Sequence, residues 1–394
     1  MPLPALSPVT RRLMPLYIGT FLQSVVFWYA IEKLFMFSIG FDNFTVGIMV
    51  AVMSVVMLAV ETPSGVLADR WSRKGVAIIA TVMLALAALI GAASYSVPMY
   101  ILSTVFWGIY AALYSGTYDS MIYDTDLEEH GNSEQYAKYL GRLRAIEGAA
   151  FVIGALTASV ISQHLGMRET FIISLPIILC AIPLLAMFRE PKLHKAEVAE
   201  PVFRHIRLTF GAVLQNRFLL LIVIATVGFA ALQEAYLELS QLWFISLSTP
   251  VVLFGIIGAV IFSTWTIGGL IAPYIKSRIP EAIALIVTMA GTGVIIISRN
   301  YWLTLTAMFV VLSAVVAIGV VLSRIMHDEL PSKLRAGSAS VVSTLARLTL
   351  IPSVLLFTTI ANNQNVFTAT YVLLATCAVA VGAFVIHGFN TRRA

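Results

Sequence analysis

The chain has little charge and almost no cysteine. Only 11% of its 394 residues are Asp, Glu, Lys or Arg, about half the fraction of soluble domains, whereas 59% are apolar. Its two cysteines, Cys180 and Cys377, lie inside apolar runs, which predicts small apolar side chains rather than a disulfide or a metal site. The scarcity of charge excludes an ordinary soluble domain.

Patterns that carry catalysis are missing too. The sequence has no phosphate-binding Gly-x-x-x-x-Gly-Lys-Ser/Thr loop, no group of ligands at metal-binding spacing, and no nucleophile next to a base. We therefore expect no enzyme activity, no cofactor, no metal and no transport driven by ATP.

Long apolar runs are present instead. Runs of about 20 apolar residues are typical of membrane-spanning helices, and they recur along the whole chain. Turn residues and charges separate them, whereas a β-barrel would show alternation. The sequence predicts an all-α polytopic membrane protein with twelve spans, at 13–39, 44–67, 75–96, 99–124, 137–163, 169–188, 214–244, 249–275, 280–298, 301–327, 337–361 and 366–388.

Basic residues set the orientation. Outside the spans, nearly all Lys and Arg lie at one set of span ends, and the other set holds only Arg168 and Arg299. Because Lys and Arg concentrate in cytoplasmic loops, we predict that both termini are cytoplasmic. The same asymmetry explains the net charge of +5 without nucleic acid. We expect a monomer in the lipid bilayer of a bacterial plasma membrane.

An internal repeat divides the chain. The segment TPSGVLADRWSRK, from residue 62, aligns with TIGGLIAPYIKSR, from residue 266, and the same offset pairs Asp124 with Asp328. Two matches at one offset indicate duplicated six-helix halves. We predict one bundle at 1–188, a cytoplasmic linker at 189–213 and a second bundle at 214–394.

The loop between spans two and three carries the most specific motif. Its residues are Gly65, Asp69, Arg70, Arg73 and Lys74. Between two sets of six spans, this motif resembles that of the major facilitator superfamily, although Ser72 stands where the family usually has glycine. The resemblance implies two pseudo-symmetric six-helix bundles and a secondary transporter that works by alternating access.

The resemblance also implies a latch on the cytoplasmic side. In the family the loop carboxylate, here Asp69, meets the N-terminus of span eleven, where the helix dipole stabilises an anion. Gly65 would let a neighbouring helix approach closely, and Arg73 would pair with Asp124. The alternative is that these charges only end the helices and fix the orientation of the chain.

Ionisable residues at membrane depth need a reason, because each costs roughly 2.5–3.5 kcal/mol to insert. In the outer halves of spans one and seven lie Glu32, Glu234 and Glu238. The resemblance implies that both spans line the central cavity, so we predict a site for protons and substrate, with Glu32 first and Glu234 next. The alternative is a local pair of Glu32 with Lys33, which we do not expect because sequence neighbours point to different faces of a helix.

A second group lies nearer the cytoplasmic side. It comprises Glu61, Asp119, Arg144 and Glu147. Arg144 and Glu147 are three residues apart and share a helix face, so we predict an inner gate from these two and Glu61, with plain structural pairing as the alternative. Asp119 is predicted to bind protons or substrate, because no base lies at helical spacing from it.

Two further features complete the predicted site. Arg347, near the middle of span eleven, could bind an anionic substrate group or pair with an acid on a neighbouring helix. Aromatic residues could line a cavity for organic cations, Trp28 and Tyr118 foremost, or could serve as packing and interface anchors.

These features predict proton-coupled efflux of small hydrophobic or cationic organic compounds. Acids outnumber bases within the spans, which suits protons and cationic cargo. The chain also resembles the superfamily's drug antiporters in length and short loops, although span five lacks their glycine–proline motif. The alternatives are proton-coupled uptake of a sugar, nucleoside or similar metabolite, a lipid flippase, and a non-transporting sensor.

Overall fold

A computed structural model describes residues 8–132, 134–191, 216–275, 278–329 and 332–390. Within these ranges the secondary structure is helical, with no strand. The helices are α1 Pro8–Ser24, α2 Glu32–Ser38, α3 Asn43–Arg70, α4 Arg73–Ala93, α5 Val97–Tyr114, α6 Thr117–His130, α7 Tyr136–His164, α8 Met167–Met187, α9 Arg217–Ser246, α10 Leu253–Ile271, α11 Arg278–Ile297, α12 Tyr301–Glu329, α13 Ser332–Asn363 and α14 Val366–Asn390.

The predicted all-α membrane fold is confirmed. Eleven segments of the described chain are long and apolar enough to cross a membrane, and a shorter apolar helix at Glu281–Ile297 lies where the ninth span was expected. Both cysteines are free thiols, as expected. Cys377 is buried, but Cys180 is exposed on its helix rather than packed inside.

Two predicted spans are interrupted. The first consists of α1 and α2, separated by Val25–Trp28 and a turn of 3-10 helix at Tyr29–Ile31. The fourth consists of α5 and α6, separated at Ser115 and Gly116. Gly116 has a φ of 75°, a left-handed conformation that costs glycine little.

The described residues form two compact units. Unit 1 lies within Met1–Gly40, Val52–Val198 and Phe254–Ala259, and unit 2 within Phe41–Ala51, Ala199–Leu253 and Val260–Ala394. Each unit therefore takes a short segment from the opposite half of the sequence. The predicted bundle and linker boundaries remain predictions.

In unit 1, side chains from neighbouring helices hold the interruption of the first span in place. The Phe27 N–H donates to the Ser174 hydroxyl at 3.0 Å. On α7, a Cβ added to Gly154 would lie 2.8 Å from the Val26 carbonyl oxygen, so the absent side chain lets the backbones touch. The interruption is thus a packed feature of the fold.

A buried polar chain joins the two interrupted spans. Tyr118, just after the break in the fourth span, donates to Gln23 Oε1 at 2.8 Å. Gln23, just before the break in the first span, donates to Thr81 Oγ1 on α4 at 2.6 Å. Because all three side chains are buried and bonded, they fix α1, α4 and α6 to one another.

Candidate functional site

A charged cluster in unit 1 contains three of the predicted residues. Arg144 on α7 binds Asp119 on α6 at 2.7 Å and Glu147, one turn along α7, at 3.0 Å. Their side chains are 46%, 33% and 14% exposed, respectively. Asp119 was favoured as a binding residue because no base lies at helical spacing from it, but Arg144 pairs with it from another helix. We name these three residues the open cluster.

Glu61 was expected beside this cluster. It lies on α3 and is partly buried, and its main-chain carbonyl accepts a hydrogen bond from the Ser64 hydroxyl at 2.7 Å. Its place in an inner gate remains a prediction.

The site predicted around Glu32 differs from the expectation. Its carboxylate pairs with Lys33 Nζ at 2.5 Å and accepts a hydrogen bond from the Tyr100 hydroxyl at 2.7 Å. The Lys33 side chain is 1% exposed and that of Glu32 is 13% exposed. The ion pair of Glu32 with Lys33, which we did not expect, is thus present. The expectation assumed one continuous helix, in which sequence neighbours point to different faces, but Glu32 is the first residue of α2 after the interruption. The carboxylate that was predicted as the leading proton carrier is therefore already bound to the Lys33 ammonium group and the Tyr100 hydroxyl.

A second charged cluster lies in unit 2. Glu234 and Glu238 on α9 are one turn apart, and the charges of Glu238 and Arg347 act on the Glu234 carboxylate. Glu238 is only 6% exposed, and the other two side chains are partly buried. The interpretation of Arg347 as the neighbour of an acid on another helix fits this arrangement. We name these three residues the closed cluster.

The two clusters have the same charge count. Each sets two carboxylates against one guanidinium, so the charges of its three named residues sum to one negative charge when all of them are ionised. A charge of this kind at membrane depth is costly and is found where ions or protons are handled. One proton, or one monovalent cation, would neutralise either cluster.

The loop motif is fixed by acids from two directions. Arg73 forms the expected ion pair with Asp124 and also donates to the Ser120 carbonyl at 3.3 Å. Glu190 was missed by the sequence analysis: its carboxylate accepts the Ser72 hydroxyl and the Arg73 N–H, each at 2.6 Å. An anion at the first turn of α4 is favourable. In the sequence, the only feature that distinguishes Glu190 is its position just after predicted span six.

The remaining motif residues give a mixed result. No described atom lies within 4 Å of the position that a Gly65 Cβ would occupy, and the expected close approach of a neighbouring helix remains a prediction. Arg70 is exposed at the end of α3, and Lys74 donates to the Ala186 carbonyl at 3.3 Å. The side chain of Asp69 lies outside the described residues, so its contact with span eleven remains a prediction.

The two aromatic residues favoured as cavity lining are buried. Trp28 is 3% exposed and stacks on Phe171 with ring centroids 4.9 Å apart. Tyr118 is 0% exposed and bonded to Gln23. Both side chains pack within unit 1 in this structure.

Other aromatic residues of unit 1 are more open. Tyr29, Trp107 and Phe151 are partly exposed, and the Tyr29 ring lies 5.8 Å from Trp107 and 6.3 Å from Phe151. Trp107 and Phe151 were not predicted from the sequence. Their spacing could have found them, since Trp107 precedes Tyr110 by three residues and Phe151 follows Glu147 by four.

A separate groove of about 850 Å³ lies in unit 2 between α9, α13 and α14. Its lining is almost entirely apolar, and Tyr371 is its one titratable side chain. It lacks the convergent charged groups that a proton or cation site requires.

The fold and these charged groups inside the spans define a polytopic membrane transporter rather than an enzyme. The chain belongs to the Major Facilitator Superfamily, whose family model matches residues 13–354. No curated protein sequence matches it.

Solved structures of transporters share the fold. The nucleoside transporter NupG superposes with a TM-score of 0.77 at 14% identity, covering 96% of this chain and 99% of NupG. The D-xylose-proton symporter gives 0.71 at 14% identity over 94% and 96% of the two chains. A bacterial homolog of the human lysosomal transporter Spinster gives 0.69 at 14% identity over 97% and 96%. At such identities the likeness is one of fold alone.

Proposed function

We propose that this protein is a proton-coupled antiporter that exports small hydrophobic or cationic organic compounds by alternating access. The observation that carries the proposal is the pair of charged clusters within the spans, each of which contains two carboxylates and one guanidinium. Acids at membrane depth in transporters mark proton and ion pathways.

The charge count favours exchange. A proton or a cationic substrate can supply one positive charge to such a cluster. With the two ligands on different clusters, exchange requires that occupancy of one cluster lower the affinity of the other, which is a coupling free energy between two sites. We assign proton binding to the closed cluster, with Glu234 as its principal carboxylate, because Glu238 beside it is buried from larger ligands.

A second candidate is proton-coupled uptake of a polar metabolite. The buried chain of Gln23, Tyr118 and Thr81 offers amide and hydroxyl groups of the kind that bind polyhydroxylated solutes. NupG and the D-xylose-proton symporter, which share the fold, are named for such solutes. The direction of solute movement separates the two candidates.

The test is transport in proteoliposomes with an imposed pH gradient. A gradient that drives protons inward should drive preloaded ethidium, a cationic dye, outward. Glu234→Gln should reduce this flux at least tenfold, since the amide cannot exchange a proton. The matched control is Glu169→Gln, which changes an acid in the first turn of α8 and should leave the flux unchanged.

Two results would contradict the proposal. Accumulation of a sugar or nucleoside along the proton gradient, with ethidium unaffected, would favour the second candidate. An unaltered pH dependence in a folded Glu234→Gln variant would remove that carboxylate from the proton path.

We also propose that the loop motif acts as the latch. Asp69→Asn and Asp124→Asn should each slow turnover several-fold and leave the substrate KM unchanged, because a latch alters how fast states interconvert rather than what binds. Unchanged rates in both variants would reduce the motif to a topology signal.

A further inference from the structure

A continuous row of aromatic rings lines one side of unit 1. Its members, which we name the aromatic wall, are Tyr29, Trp107, Tyr110, Tyr114 and Phe151. Trp107 is stacked on Tyr29 with an interplanar angle of 19°, and its centroid lies 5.6 Å from that of Tyr110. Tyr110 and Tyr114 follow at 5.7 Å. Three separate elements of unit 1 thus contribute to one surface.

The wall shares a helix face with a charged residue. Four of its members are partly exposed, and Tyr110 is buried. Phe151 follows Glu147 by one helical turn on α7, so the two side chains share a face. Charged groups at membrane depth face the bundle interior or water, and Glu147 is one of them. The wall and the open cluster therefore lie next to each other along α7.

Glu147 is close to the tyrosines of the wall. Its charge acts on both Tyr110 and Tyr114, which lie on α5. The Tyr114 hydroxyl is buried and makes no hydrogen bond to any part of the chain that the structure describes. Buried hydroxyls without a partner are rare, so this oxygen is available to a ligand that lies between α5 and Glu147.

We propose that the aromatic wall and Glu147 form the cargo site, and that the site binds a planar aromatic cation. This inference rests on the proposed function and gives that function a substrate class and a location. The flat rings offer stacking surfaces and cation–π contacts. When the cation pairs with Glu147, Arg144 keeps Asp119, and the open cluster together with its ligand is neutral.

The aromatic residues beside the acids of the closed cluster are buried. Among the aromatic residues of α9, Tyr236 and Trp243 are both 0% exposed. Tyr236 is bonded to Thr292, and Trp243 to Thr370. Neither ring offers a face to a ligand in this structure, so cargo and proton are assigned to different units.

The inference is tested by direct binding, which needs no proton gradient. Fluorescence titration of ethidium onto purified protein in detergent should show at least tenfold weaker binding for Glu147→Gln. Trp107→Leu should weaken binding three- to tenfold, in line with a cation–π contact of about 1 kcal/mol. The matched controls are Glu169→Gln and Trp302→Leu, an exposed tryptophan of unit 2, and both should bind as the unaltered protein does.

Tyr114→Phe provides a variant whose folding is not at risk, because its hydroxyl has no hydrogen-bond partner among the described residues. It should bind ethidium two- to fivefold more weakly and retain the thermal stability of the unaltered protein. A neutral planar dye extends the test, and it should bind at least tenfold more weakly than ethidium.

The outcomes separate this inference from the proposed function. Unaltered ethidium binding in Glu147→Gln and Trp107→Leu, or no binding by the unaltered protein, would overturn the cargo site. Proton-driven flux that depends on Glu234 would still support antiport in the first case. Conversely, ethidium binding that needs Glu147, without proton-driven flux, would support the site and contradict the antiporter.

Discussion

In unit 1 the first and fourth spans are each interrupted, whereas in unit 2 the corresponding seventh and tenth spans, α9 and α12, run without a break. Non-helical backbone at membrane depth is tolerated only where protein or a water-filled cavity surrounds it. Interrupted helices of transporters commonly border the substrate. The difference indicates that the duplicated halves have diverged, and it supports the proposal that unit 1 holds the cargo.

The two charged clusters also differ between the units, in exposure and in position along their helices. Arg144 in the open cluster is half-exposed and lies about 12 Å along α7 from its start, at 1.5 Å per residue. Glu234 in the closed cluster lies about 26 Å along α9. With helix starts predicted on the cytoplasmic side, the open cluster is expected nearer to that side than the closed cluster, whose Glu238 is 6% exposed. This difference supports the proposal that clusters of equal charge count bind a large ligand in one unit and a proton in the other.

The largest expected effect separates the two arginines. Arg347→Gln should lower the free energy of unfolding by about 3 kcal/mol, because two carboxylates in a buried setting lose their guanidinium. Arg144→Gln should cost less than about 1 kcal/mol, since solvent screens a half-exposed pair. Thermal unfolding in detergent at pH 7 measures both. Equal shifts in melting temperature would mean that the clusters do not differ in burial as described.

The next effect concerns the interruption of span one. In Gly154→Ala the new Cβ would lie 2.8 Å from the backbone oxygen of Val26, which has no flexible side chain to move aside. We expect a loss of about 1–3 kcal/mol and reduced transport, because the break must shift.

Gly319→Ala on the continuous span ten is the control for that variant. Nothing described lies within 4 Å of its added Cβ, so it should be neutral or stabilise the helix by up to about 1 kcal/mol. Similar losses in the two variants would remove the distinction between interrupted and continuous spans. Melting temperature and ethidium flux, measured together, distinguish the outcomes.

The spans could be predicted because their cause is local. A run of about 20 apolar residues crosses a membrane whatever its neighbours are, so all twelve positions follow from composition. The interruption at Val25–Trp28 could not be predicted, since its residues are as apolar as those around it and include no proline or glycine. It depends on Ser174 and Gly154, which are distant in the chain.

The charged contacts show the same limit. The resemblance identified the pair of Arg73 and Asp124, and the structure contains it. The partner of Asp119 was missed, since Arg144 reaches it from another helix. The error at Glu32 came from treating span one as a single helix. Predictions from helical spacing hold along continuous helices such as α9, and fail where the backbone breaks.

The smallest effect lies at the start of α3, in the segment that belongs to unit 2. Asp42 accepts the Thr45 N–H at 2.8 Å, and its own N–H donates to the Thr45 hydroxyl at 2.8 Å. This reciprocal arrangement caps the helix, so Asp42→Ala should cost about 0.5–1 kcal/mol at pH 7. Unit 1 caps α4 differently, with Ser72 and the Glu190 carboxylate.

The pH dependence of this cap follows from its hydrogen bonds. The bonds from the Thr45 hydroxyl and N–H lower the pKa of Asp42 below its ordinary value. A carboxyl group with a lowered pKa in the folded state stabilises the protein above its unfolded-state pKa, about 3.9. That stabilisation is lost as the pH falls through the folded-state value. The difference in melting temperature between the unaltered protein and Asp42→Ala should therefore be constant above about pH 5 and narrow below about pH 4. A difference that stays constant down to pH 3 would mean that the ionised carboxylate is not what caps the helix.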